Sequence, residues 1–130
     1  MAAIERPTTE SAAISNAMVK LHKEQFGRGP TRARTHFAGP DALVCVLEDV
    51  LLPAELKLID KGEEARVRDG RTAFQVATRD EFVAAVEQIV YRKVRSFASA
   101  VDPGTNTVFE VFVFESRHDG NSGSGSDVPA

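Results

Sequence analysis

Residues 107–115, Thr-Val-Phe-Glu-Val-Phe-Val-Phe-Glu, constrain the fold more than any other stretch of the chain. Side chains along a strand alternate between two faces. Phe109, Val111 and Val113 take one face, and Val108, Phe112 and Phe114 take the other, with Glu110 the one charge among the apolar positions. Ala42 to Glu48 is likewise nearly all apolar on both sides. Such strands belong inside a sheet whose faces are both covered. A single layer of helices covers one face, so the other face calls for a second layer or another chain.

Each of these stretches has a neighbour to pair with. Thr31 to Phe37 alternates, with Thr31, Ala33, Thr35 and Phe37 on one face and Arg32, Arg34 and His36 on the other. Ala38-Gly39-Pro40-Asp41 supplies the turn into the first apolar strand. Tyr91 to Val101 reads as a strand with a basic start, and Asp102-Pro103-Gly104-Thr105-Asn106 turns it into the aromatic one. The result is two hairpins, 31–48 and 91–115, with no sign of a βαβ crossover.

The remaining segments are helical. Thr9 or Ser11 offers a hydroxyl cap, and Ile14, Ala17, Met18 and Leu21 form one apolar stripe. Gly27 suits the left-handed C-cap, and Pro30 keeps the helix from resuming. Pro53 opens a second helix, with Leu56 and Ile59 on one side and Gly62 at its end. Residues 63–90 form the longest helical pattern, with a seam of Val67, Phe74, Thr78, Phe82, Ala85 and Ile89, and Gly70 leaves open whether it is one helix or two. Val76, Val83 and Val90 repeat every seven residues on roughly the opposite side. A helix with one buried face does not need that second stripe. It is therefore read as the interface of a homodimer, with the uncovered sheet face as the alternative interface.

The expected architecture is an α+β domain over residues 9–115, in the order α-β-β-α-(α)-β-β, with a four-stranded antiparallel sheet and helices on one face. Residues 1–8 are expected to be disordered, as is the Gly/Ser-rich tail, 116–130. The longest apolar run, Ala42 to Leu47, is far short of the ~20 residues that span a bilayer. Met1 to Glu10 lacks the apolar core of a secretory signal. The one cysteine, Cys45, sits in the apolar run and reads as buried and inert, which makes a reducing, cytoplasmic setting the expectation.

Charge is unevenly placed. Residues 20–36 hold five basic side chains and one acid, a local charge of +4 in a chain of net charge −3. Lys20, Lys23, Arg28, Arg32 and Arg34, with the Gly29 backbone, are the candidate site for an anion or an acidic partner. Solvated arginines that blunt a sheet edge explain the same residues. Gly27-x-Gly29-x-x-Arg32 is not a dinucleotide fingerprint, because it follows a helix and opens a strand. Nucleic acid is disfavoured by the negative net charge and by the absence of aromatics among the arginines. A KH-like module would also want a Gly-x-x-Gly loop between two helices. His22, His36 and His118 share no ligand spacing, so neither metal nor cofactor is expected. An enzyme would have to use Glu48, Asp49 or His36 in a pocket at a dimer seam; otherwise Glu48 and Asp49 simply mark a strand leaving the core. No catalytic residue is assigned.

Asn16-Ala17-Met18-Val19-Lys20-Leu21-His22-Lys23, the turn Gly27-Arg28-Gly29-Pro30-Thr31-Arg32-Ala33 and the stretch Val46 to Glu55 together resemble the MpsC-like family. Arg71-Thr72-Ala73-Phe74 and Val111-Phe112-Val113-Phe114-Glu115 continue the resemblance, which covers roughly residues 10–115. The Gly-x-Gly-Pro-Thr turn and the Glu-x-Val-Leu-x-Pro-x-Glu stretch are its specific parts. The resemblance implies a cytoplasmic accessory protein of a sodium-translocating, membrane-potential-generating system, linked to sodium or inorganic-carbon uptake. The acidic partner of the basic turn would then be a face of a membrane transport complex. An anion such as bicarbonate or phosphate ranks second and nucleic acid third.

Overall fold

The computed structural model describes residues 9–116. In chain order the elements are α1 (Thr9–Phe26), β1 (Arg32–Phe37), β2 (Ala42–Glu48), α2 (Pro53–Asp60), α3 (Glu64–Val90), β3 (Val94–Asp102) and β4 (Thr107–Phe114). The expectations for residues 1–8 and for the tail beyond Ser116 lie outside the described residues. The four strands form one antiparallel sheet in the order β1-β2-β4-β3. The two stretches that are apolar on both sides, β2 and β4, are the two central strands, as their patterning requires.

One sheet face carries the core. Leu43, Cys45 and Leu47 of β2 and Val108, Phe112 and Phe114 of β4 are buried there beneath Ile14 and Met18 of α1 and Phe82, Val86 and Val90 of α3. Phe97 of β3 stacks on Phe112 with ring centroids 4.6 Å apart. The other face presents Val44 and Val46 of β2 and Phe109, Val111 and Val113 of β4. These side chains are half-buried, except Phe109, which is 39% exposed. No helix among the described residues packs on that face.

Local chemistry sets the boundaries. Gly27 ends α1 at φ 87°, and its N–H reaches the Lys23 carbonyl. The next turn presses against α1 so closely that a Cβ at Gly29 would lie 3.0 Å from the Val19 carbonyl oxygen. Gly29 is thus required by packing. Leu52, the residue that caps α2, has no side-chain acceptor; Glu55 reaches back instead and accepts the Leu52 N–H at 2.8 Å. Asn106, at φ 54°, ties the ends of the central strands: its Oδ1 accepts both the Val50 and Leu51 N–H groups at 2.8 Å.

Two expectations change, and one point that the sequence left open is settled. α3 runs unbroken through Gly70 and is about 40 Å long at ~1.5 Å per residue. Tyr91 is not in a strand: it caps α3 in the left-handed region at φ 58°, and β3 starts at Val94, with a register irregularity between Val94 and Ser96. The stripe Val76, Val83 and Val90 is not one surface either. Val76 is 70% exposed, Val83 packs partly against the core and Val90 lies within it. The buried line of α3 steps through Thr78, Phe82, Val86 and Val90. Steps of four residues turn that line by about 40° each around a helix of 3.6 residues per turn, which carries it onto the valine stripe at its last member.

Candidate functional site

The basic turn is largely tied up within the chain. Arg28 donates to the Leu51 carbonyl at 2.8 Å and to Asp49 at 3.2 Å, fastening the turn to the segment that leads into α2. Arg32 and Arg34 both meet Glu48, at 3.5 and 2.9 Å. Lys20 pairs loosely with Glu24 at 3.9 Å, and Lys23 stands exposed in the last turn of α1. One carboxylate against two guanidinium groups leaves a surplus of positive charge at Arg32 and Arg34, which are 73% and 50% exposed. Exposed pairs of this kind hold weakly and exchange readily with an outside partner. Glu48 and Asp49, the candidate acid–base pair, are thus each engaged by arginine. His36 sits exposed toward the far end of β1, about 13 Å of strand from Arg32, the register partner of Glu48. Among the described residues no three His, Cys, Asp or Glu side chains gather to hold a metal ion.

The unexpected chemistry lies in the core. His22 Nε2 and Glu110 Oε2 are 3.1 Å apart, and their side chains are only 4% and 3% exposed. α1 positions His22 one turn beyond Met18, itself one turn beyond Ile14, on the face that meets the sheet. β4 places Glu110 inward between Val108 and Phe112. The imidazole stacks on Phe26 and meets the edge of Phe82. Beside it, Arg71 of α3 lies 3.9 Å over the Phe26 ring and makes two bonds to Glu55 of α2, at 2.6 and 2.8 Å. Burial alone would raise the Glu55 carboxyl. The hydrogen bonds from Arg71 and the Leu52 N–H, together with the Arg71 charge, outweigh it and hold Glu55 below its usual value of 4.5.

Cys45 faces Glu110 across the β2–β4 register. Burial, aided by the Glu110 charge and opposed by a bond from Thr35, pushes its thiol up to about 12. Cys45 is therefore expected to resist a thiol-specific disulfide reagent at pH 8 in the folded protein and to react once urea unfolds the chain; rapid modification without denaturant would contradict its placement.

Residues 8–116 match the family model described as "Na+-translocating membrane potential-generating system (MpsC)". The chain belongs to the MpsC family. That description ties the family to a membrane system that moves sodium, and no helix among this MpsC-family chain's described residues is long and apolar enough to cross a membrane. No curated protein and no solved structure matches the chain. Of the segments that carried the resemblance, the Gly-x-Gly-Pro-Thr turn and the Glu48–Glu55 stretch meet in the fold through the Arg28 bonds to Asp49 and Leu51. Arg71 joins the same corner through Glu55 and through the Val50 carbonyl at 3.5 Å. In this MpsC-family fold the distinctive motifs build a structural joint, whereas the buried polar pair draws on His22 and Glu110 from two distant elements.

Proposed function

We propose that this MpsC-family chain is a non-enzymatic accessory subunit of the sodium-translocating system, acting as a homodimer on the cytoplasmic side. The observation that carries this reading is the open sheet face. Val44, Val46, Phe109, Val111 and Val113 form a contiguous apolar area with no covering layer among the described residues. An area of this kind favours association, and a two-fold pair is the commonest closed way to bury it. The exposed arginines Arg32 and Arg34 border the same face on β1 and supply the contact for an acidic surface of the membrane partner. Electrostatic docking of this type weakens as salt is raised.

Light scattering tests the assembly. The wild-type protein is expected at twice the 14.1 kDa chain mass. Val111→Asp should return it to the monomer with a native circular dichroism spectrum, and Val76→Asp on the exposed side of α3 should leave the dimer intact. A wild type at 14.1 kDa, or a dimer that survives Val111→Asp, would remove the sheet face from the reading. Capture of the membrane complex from native cells, repeated with Arg32→Ala/Arg34→Ala, tests the docking. Undiminished capture would take the arginines out of it.

A further inference from the structure

Behind the His22–Glu110 bond lies a cavity between α1, α3 and the sheet, with a free volume of about 40 Å³. At ~10–15 Å³ for one water, that is room for a few waters or for a ligand of a few heavy atoms. Phe26, Phe74, Phe82 and Phe97 line it. Thr72 of α3 and Ala100 of β3 also line it and are exposed, so it opens to solvent between those two elements.

Three of the lining side chains each hold a buried polar atom with no protein partner: Arg71 Nη1, Glu110 Oε1 and His22 Nδ1. Arg71 gives its other two guanidinium nitrogens to Glu55. Glu110 and His22 meet each other through Oε2 and Nε2. What remains is one donor on a guanidinium and one acceptor on a carboxylate. In the neutral imidazole, with Nε2–H donated to Glu110, Nδ1 is a second acceptor. Buried polar atoms left unmatched are costly.

A guanidinium and a carboxylate in one lining select against a charged occupant. A cation that satisfied Glu110 would also face Arg71, and an anion that satisfied Arg71 would also face Glu110. Like charges in a desolvated pocket are what exclude the wrong ligand. An uncharged molecule that both accepts and donates meets both groups. A primary amide has this inventory, with one carbonyl acceptor and two N–H donors. We infer that the cavity binds a small primary amide. Its carbonyl accepts from Arg71 Nη1, its N–H groups donate to Glu110 Oε1 and His22 Nδ1, and its apolar end lies among the phenylalanines.

Acetamide is the probe, titrated into the full chain with the backbone amides followed by NMR. Saturable shifts are expected at His22, Ser99 and Glu110, complete below about 100 mM for a ligand of this size. Its isosteres acetate, an anion, and acetamidinium, a cation, should each bind at least about tenfold more weakly. Ser99 faces Glu110 across the β3–β4 register and lines the cavity, so Ser99→Val fills the space and leaves all three polar atoms in place. It should abolish acetamide binding. Glu110→Gln removes the charge that repels an anion and should move the preference from acetamide toward acetate. Shifts that never saturate would mean that water alone fills the cavity, and would overturn the assignment. So would acetate or acetamidinium binding as tightly as acetamide, undiminished binding in Ser99→Val, or an unchanged preference in folded Glu110→Gln.

Discussion

His22→Leu is expected to destabilise the protein by about 3 kcal/mol, because it leaves the Glu110 carboxylate buried without its partner. The size of the effect comes from the orphaned charge, not from the bond itself. Glu110→Leu should therefore cost less, about 1–2 kcal/mol, since it leaves a neutral imidazole with an unmade hydrogen bond. The double change His22→Leu/Glu110→Leu removes both polar groups and should recover most of the loss or exceed wild-type stability. Urea unfolding of the four proteins measures this directly. Additive losses in the double variant would mean that the two side chains do not interact in the folded state.

Arg71→Met should release α2 while leaving the sheet folded. α2 has no fully buried residue. Its hold on the domain runs through Glu55, which Arg71 clamps with two bonds while stacking on Phe26. Arg71 is only 9% exposed and Glu55 17%, so the clamp is shielded from solvent. Its loss is expected to be worth about 3 kcal/mol, the range for breaking a buried pair. Amide exchange in residues 53–60 should accelerate about a hundredfold or more, with β2 and β4 protected as before. The same clamp predicts an acid response. A carboxyl held below its unfolded value stabilises fully above that value and loses its contribution as pH falls through the folded one. Loosening of α2 should therefore begin only as pH drops below 4.5, and Arg71→Met should abolish that step. An α2 that exchanges identically in both proteins would show that other contacts hold it.

The sheet was readable because β2 and β4 carry apolar side chains on both faces, a pattern that only interior strands tolerate. The strand order then follows from two hairpins whose inner members pair. The valine stripe on α3 misled because a seven-residue spacing tracks one side of a helix only when the partner follows the same line. Here the buried line winds, and Val90 joins the core. The basic turn was plain in the sequence, but its pairing was not: Glu48 and Asp49 come close to the arginines only once the β1–β2 register is fixed. The buried site had a signal. Glu110 stands at an inward position among apolar neighbours, and His22 continues the four-residue spacing of Ile14 and Met18. Each residue alone reads as an oddity. Only the packing of α1 across β4 brings them together.

The pairing of β2 with β4 has a consequence for how the chain is made. β2 leaves the ribosome ahead of α2, α3 and β3, and β4, the strand that completes its hydrogen bonds, is translated after all of them. Until then the first half of the chain is a helix and a hairpin whose inner strand has one free, apolar edge. Domains of this size fold as units, and unpaired strand edges are where nascent chains aggregate. A truncation that ends before Thr107 is therefore a polypeptide with a sticky edge and no closed core, and it should demand a chaperone. The sheet closes only once β4 has been made.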